Sequence, residues 1–209
     1  GLKRMTKLAK NVLAISHFNQ GLNRVFEDYC KGIRENTANY FYVDYIDLFI
    51  DQGKSAGEKH ILSLIEKEKI DTIVFVWWSC DLSFDPEFLA QLKARCKIVM
   101  NFYDTEYYFE GVDRYYAQYA DLVMLPDALA RHRFIHMGVP AITTFALYDK
   151  ESYSRDKTLK QDIDVSFIGN VRLADRKARI DYLKQHGIAV QDFGVGSSGG
   201  FLRDEEMVS

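Results

Sequence analysis

Asp164-Val165-Ser166-Phe167-Ile168-Gly169-Asn170 has the form of a strand running into a glycine turn, the opening of a nucleotide-binding α/β unit, yet it begins only about forty residues before Ser209. The segments after it continue the same pattern. A helix is predicted from about Asp175 to His186, a strand over Ile188 to Phe193, and a glycine- and serine-rich loop from Gly194 to Gly200. Asp204-Glu205-Glu206 reads as a helical first turn, where acids favour the free N–H groups. A strand-helix-strand unit of this size cannot cover both faces of a sheet and lies near the lower limit for independent folding. The expectation is therefore an incomplete second domain; a terminal βαβ extension of a single sheet is the alternative.

Upstream, residues 148–162 are highly charged with few apolar side chains, and they are expected to form a linker. Before them the chain alternates. Asn11 to Ser16 is a short apolar run that fits a buried strand, and Leu22, Val25, Phe26, Tyr29 and Ile33 make one helical face. Tyr40 to Ile46 has strand composition, Ile61, Leu62, Leu64 and Ile65 stripe a helix ending near Lys69, and Asp71 to Trp78 is a third strand. Asp85-Pro86-Glu87 starts a helix, with an acid at the cap and proline where its missing N–H costs nothing. Cys96 to Phe102 is a strand, a Tyr-rich helix covers about Val112 to Tyr119, and Leu122 to Leu125 is a short strand. A helix over Ala128 to His136 and a strand over Ala141 to Phe145 complete the series. Uniformly apolar strands separated by single helices imply a parallel sheet covered on both faces. The predicted fold is α/β: a Rossmann-like, doubly wound domain over 1–147, a linker over 148–162, and the first βαβ unit of a second Rossmann-like domain over 163–209.

The whole composition suits a globular chain with small-molecule or neutral partners. Among 209 residues, 27 Lys and Arg stand against 30 Asp and Glu, a formal net charge of -3, so no global basic field attracts nucleic acid or anionic membrane. Three separated cysteines, Cys30, Cys80 and Cys96, form neither a disulfide framework nor a zinc motif and fit a reducing cytoplasm. The longest apolar run, Ile73 to Trp78, is far below the ~20 residues of a membrane helix. No secretory h-region is read at the N-terminus.

The order of a Rossmann-like domain, a polar linker and a second Rossmann-like start resembles GT-B glycosyltransferases, in particular the CgeB-like and family 1-like group. The residues carrying the resemblance are Phe167-Ile168-Gly169, Arg176, Leu183, Gly187, Val190, Phe193-Gly194, Gly196 and Glu205-Glu206-Met207. Ala120-Asp121-Leu122-Val123, Met137-Gly138-Val139-Pro140 and Asp104 add looser support from the first domain. The resemblance implies transfer of a sugar from a nucleotide-sugar donor to a glycan or other acceptor hydroxyl, in surface glycan or glycoconjugate synthesis. It further implies an acceptor-holding N-terminal domain, a donor-binding C-terminal domain, and no bound metal or cofactor. Backbone amides, helix N-termini and basic side chains then neutralise the leaving diphosphate.

On that basis the donor side is assigned to Gly169, Asn170, Arg172, Arg176, Gly194 and Gly196, with Lys177 a weaker candidate. Glycine admits phosphate close to the backbone, and arginine grips it through a planar fork. The Gly194 to Gly200 loop matches neither GxGxxG nor the kinase-type phosphate loop, which makes it a weak phosphate cradle; a mobile cleft loop and an ordinary surface loop are its alternative readings. The acceptor side is assigned to Asn19, Gly21, Trp78, Asp81 and Glu106, combining an indole for stacking with carboxylates and amides for hydroxyls. His17 and Asp104 are the candidate catalytic bases, Asp104 having helix capping as its alternative role. A non-catalytic glycan- or nucleotide-binding domain is the competing reading. A dinucleotide oxidoreductase is disfavoured by the missing G-x-G-x-x-G.

Overall fold

A computed structural model describes residues 9–17, 24–76, 83–144, 158, 162–173 and 175–202. The chain divides into two compact units, Gly1–Asp149 and Lys150–Ser209. No helix among the described residues is long and apolar enough to cross a membrane.

In the first unit the elements run β1 (Asn11–Ser16), α1 (Arg24–Asn36), β2 (Asn39–Asp44), α2 (Tyr45–Gln52), α3 (Lys54–Glu68), β3 (Thr72–Val76), α4 (Pro86–Lys93) and β4 (Lys97–Asn101). Next come α5 (Thr105–Tyr108), a π-helical turn (Phe109–Asp113), α6 (Arg114–Tyr116) and a 3-10 turn (Ala117–Tyr119). β5 (Leu122–Leu125), α7 (Ala128–His136) and β6 (Ala141–Thr143) close the unit. Every strand pair is parallel and the sheet order is β2-β1-β3-β4-β5-β6. The α/β, Rossmann-like architecture expected from the strand composition is the one found.

The order explains how the helices are distributed. Only the β1-to-β2 connection runs leftward; every later crossover runs rightward, so right-handed connections put α1 on one face and the remaining helices on the other. The two apolar clusters follow this division. Leu13, Ile15, Ile73, Phe75, Ile98, Met100, Val123 and Leu125 pack with α2, α3, α4 and α7. Val12, Ala14, Val74 and Val76, one residue out of phase, pack with Tyr29 and Cys30 of α1.

Two expectations required correction here. The strand predicted over Tyr40 to Ile46 stops at Asp44, and Tyr45 and Ile46 begin a helix, α2, that composition did not reveal. The cause is local: Asp44 accepts the Asp47 N–H at 3.2 Å, a side-chain cap that starts the helix two residues early. The Tyr-rich helix predicted from Val112 instead starts at Thr105 and passes through a π-helical turn before its last α-turn. Cys30 and Cys96 are free and buried, burial pushing both thiols up and the Cys30 pKa to about 11.

The second unit contains β7 (Val165–Ile168), α8 (Arg176–Gln185) and β8 (Val190–Phe193), with β7 and β8 parallel. Among the described residues its core is small: Val171, Ile180 and Val190 are buried, with Phe167 and Leu183 packed against them. The helix start proposed at Asp204 lies outside the described residues, as does nearly all of the linker.

Candidate functional site

Open parallel sheets bind ligands at the carboxyl ends of strands where the order reverses. In the first unit that point lies between β1 and β3, the strands from which the chain departs left to β2 and right to β4. Ser16, the last residue of β1, is fully buried and its hydroxyl donates to the Val76 carbonyl at 3.0 Å, tying the ends of these two strands together.

His17 is the next residue. Its Nδ1 lies 3.0 Å from Asp44 Oδ1, at the carboxyl end of β2. With β1 and β2 in register from Asn11/Asn39 to Ser16/Asp44, the sheet itself sets this pair side by side. Both side chains are partly exposed, at 20% and 16%. Asp44 is held from three directions: by His17, by the Asp47 N–H, and by the Tyr42 hydroxyl, which donates to Oδ2 at 3.2 Å. In the tautomer that donates Nδ1–H to Asp44, Nε2 carries the lone pair through which an imidazole takes a proton. Beside that anion, burial raises the Tyr42 phenol far above its usual range, so Tyr42 stays protonated and donates to Asp44.

His17, Asp44 and Asp47 also bring three ligand atoms within 4.8 Å of one another. They are a poor cation site, because Asp44 is already engaged by three donors and the group caps the positive end of α2.

Asp104 and Glu106 follow β4 on the same edge and are exposed. Asp104 has φ 52, a left-handed conformation, and its side chain makes no capping bond to α5. Asn19, Gly21, Trp78 and Asp81 lie outside the described residues. Sequence reasoning missed Asp113. It is buried in the π-helical turn beside Thr105, and burial pushes its pKa up to about 6. A Tyr-rich surface segment carries no signal for a carboxyl turned inward. Asp44 was also missed, though Asp44 three residues before Asp47 has the spacing of a capping box.

In the second unit, Gly169 and Gly194 meet across the carboxyl edge, the Gly169 N–H donating to Phe193 O at 2.9 Å. A β-carbon on Gly194, at φ 112, would stand 2.4 Å from the Gly169 carbonyl oxygen, so both turns need this glycine. Asn170 accepts the Arg172 N–H at 3.0 Å, and its carbonyl accepts from Arg176 Nη1 at 3.2 Å. The Arg172 stem lies over Gly196, where a β-carbon would meet it at 2.6 Å. Gly169, Asn170, Arg172, Arg176, Gly194 and Gly196 therefore form one cluster at the strand ends. Lys177 is separate, paired with Asp181 at 2.6 Å.

The Gly194 to Gly200 loop is internally bonded rather than loose. Gly194 N–H donates to Gly200 O at 2.7 Å, Gly199 N–H to Asp192 O at 2.9 Å, and Ser198 N–H to Asp192 Oδ2 at 2.8 Å. Asp192, 5% exposed, also accepts from Lys184 Nζ at 2.6 Å and Ser198 Oγ at 2.7 Å, and the lysine bond foremost holds its carboxyl well below the usual range. The Gly194, Ser198 and Gly199 amides are thus spent on bonds within the loop.

Two motif segments have structural explanations. Asp121 accepts the Ile98 N–H at 2.8 Å, bracing the amino end of β4, and Gly138 turns the chain after α7 at φ 81.

No family model matches the chain, and no curated protein matches it in sequence. Among solved structures it is similar to the trehalose repressor from Escherichia coli, with 13% identity, coverage of 91% of this chain and 82% of that one, and a TM-score of 0.30.

Proposed function

We propose that the chain carries the acceptor-side unit and the opening of the donor-side unit of a GT-B glycosyltransferase acting on a nucleotide sugar. The observation that carries this reading is the His17–Asp44 pair, 3.0 Å apart at the reversal point of a parallel sheet. Sugar transfer to a hydroxyl needs a base that removes one proton as the new C–O bond forms, and an oriented imidazole at a ligand-binding edge supplies it. Asp104 and Glu106, exposed on the same edge, suit binding of sugar hydroxyls. On the donor side, Arg172 and Arg176 flank the Gly169-Asn170 turn and suit a leaving diphosphate.

Titration of the chain with uridine, guanosine and adenosine diphosphates, followed by amide NMR, tests the donor assignment. Saturable shifts at Gly169, Asn170, Arg172 and Arg176 are expected. Silence from all three, or shifts confined to 11–144, overturns the assignment. With a donor identified and the donor-side unit completed, His17→Gln is expected to lower transfer at least about a hundredfold while leaving diphosphate affinity unchanged.

A second reading, a non-catalytic nucleotide- or glycan-binding domain, draws on the self-bonded Gly194 to Gly200 loop. It predicts binding with no transfer and no effect of His17→Gln on turnover.

A further inference from the structure

Away from the strand edges, a groove of about 680 Å³ runs between the segment Phe109 to Gln118 and helix α7. Its size falls within the roughly 300–1,000 Å³ typical of small-molecule sites. Phe109 forms the floor at 5% exposure, and Tyr115, Leu129 and Met137 stand along the walls at 50%, 75% and 42%. Apolar side chains this exposed and this close together mark a surface meant to be covered.

The rest of the lining is basic or neutral. Arg114, Arg133, His132 and His136 border the groove, and among the described residues no acidic side chain lines it. Both guanidiniums are held in place. Arg133 lies 3.7 Å above the Phe109 ring, and Arg114 sits 4.8 Å from the Tyr115 ring and donates to its hydroxyl at 3.1 Å. Glu110 ties them together, bonded to Arg114 Nη1 at 2.5 Å and to Arg133 Nη2. Two guanidiniums against one carboxylate leave one net positive charge at the rim of an apolar groove. Arg133 keeps two of its nitrogens, Nε and Nη1, outside that ion pair.

We propose that this groove binds a soluble amphipathic anion: one acyl chain or aromatic body carrying a single phosphate or carboxylate. The apolar part lies between the exposed Tyr115, Leu129 and Met137, and the anionic head meets Arg114 and Arg133, the latter stacked over Phe109. The groove, about 680 Å³ in volume, has room for a single free molecule, whereas a bilayer lying across its rim would leave that volume unfilled. The site is independent of the transferase reading.

Decyl phosphate, decanol and inorganic phosphate, each titrated into the chain below any micelle threshold, separate the contributions. Calorimetry and the Met137 methyl NMR signal report binding. Decyl phosphate is expected to bind one-to-one and move the Met137 signal, with decanol and inorganic phosphate each at least tenfold weaker. Leu129→Asp, at an exposed position with little bearing on folding, is expected to weaken decyl phosphate at least tenfold. Arg133→Gln is expected to bring its affinity down to that of decanol; circular dichroism checks that the variant is folded, and Leu129→Asp stands alone if it is not. Equal binding of decanol and decyl phosphate, or no effect of Leu129→Asp, overturns the proposal. Leu129-dependent sedimentation with phosphatidylglycerol vesicles, without one-to-one binding of decyl phosphate, overturns it in favour of a bilayer.

Discussion

β1 and β7 are both parallel strands that end in a turn bearing candidate functional residues, but their burial differs sharply. Val12, Leu13, Ala14 and Ile15 are at most 1% exposed, whereas Val165 is 39% and Ile168 53% exposed. The difference follows from cover. β1 has partners on both edges and helices on both faces, while among the described residues β7 pairs only with β8 and packs on a core of three buried residues. A parallel strand is apolar because it expects two covered faces, and among the described residues β7 has the composition without the cover. The first unit can therefore hold its edge residues rigidly through packing; the second holds its turns through hydrogen bonds and glycine geometry.

The sharpest way to break the comparison is to remove packing where it is densest. Phe84 sits among four rings, with centroids of Tyr45, Phe49, Phe75 and Phe88 at 5.0, 5.3, 5.5 and 5.4 Å. Phe84→Ala is expected to cost about 3–5 kcal/mol in urea unfolding, the usual cost of a large cavity. A loss below about 1 kcal/mol would mean that the first unit is not organised around this cluster.

For the second unit the equivalent weak point is a backbone contact. Gly194→Ala places a methyl against the Gly169 carbonyl and strains a residue at φ 112, so a loss of about 2–3 kcal/mol is expected, read as faster amide exchange through β7 and β8. Gly138→Ala in the first unit has φ 81 but open space around the new methyl, and about 1 kcal/mol is expected there. Equal effects would show that the close approach of the two turns is not what holds them.

Much of this contrast was legible in the sequence. Strand composition and helical stripes gave the parallel fold and most of the element order, because both periodicities report which residues are buried. The short elements were not legible. α2 depends on one side-chain cap at Asp44, and the π-helical turn depends on tertiary packing of Phe109 and Asp113, neither of which changes composition over a window. At the candidate site, His17 was visible as a residue type at a strand end. Its partner Asp44 was not, because 27 residues separate the pair and only the register of β1 with β2 joins them. The loop at Gly194 looked mobile from its glycines; the acceptors that fix it, on Asp192 and Gly200, become visible only when the turn closes.

Acid should affect the two units in opposite directions. Asp113, raised to about 6, binds a proton in the folded state at a pH where the unfolded carboxyl, near 3.9, is ionised. Stability of the first unit therefore rises as pH falls from about 7 to about 4, with a total effect on the order of 2 kcal/mol. Asp113→Asn is expected to abolish that rise and to be the more stable protein at pH 7. If the variant is instead destabilised at pH 7, the ionised carboxylate has a partner that its burial beside Thr105 does not account for.

Asp192 has the opposite sign. Its folded carboxyl lies well below the unfolded value, so its contribution is complete above about pH 4 and fades as pH falls below it. Lys184 is the first cause of that depression but is 38% exposed, and Asp192 keeps both Ser198 bonds without it. Lys184→Met is therefore expected to cost only about 1 kcal/mol at pH 7. It should also narrow the acid loss of amide protection at Ser198 and Gly199 without removing it. Complete loss of protection at pH 7 would place the closure of the loop on the lysine rather than on Ser198, and the second unit would then rest on one exposed ion pair.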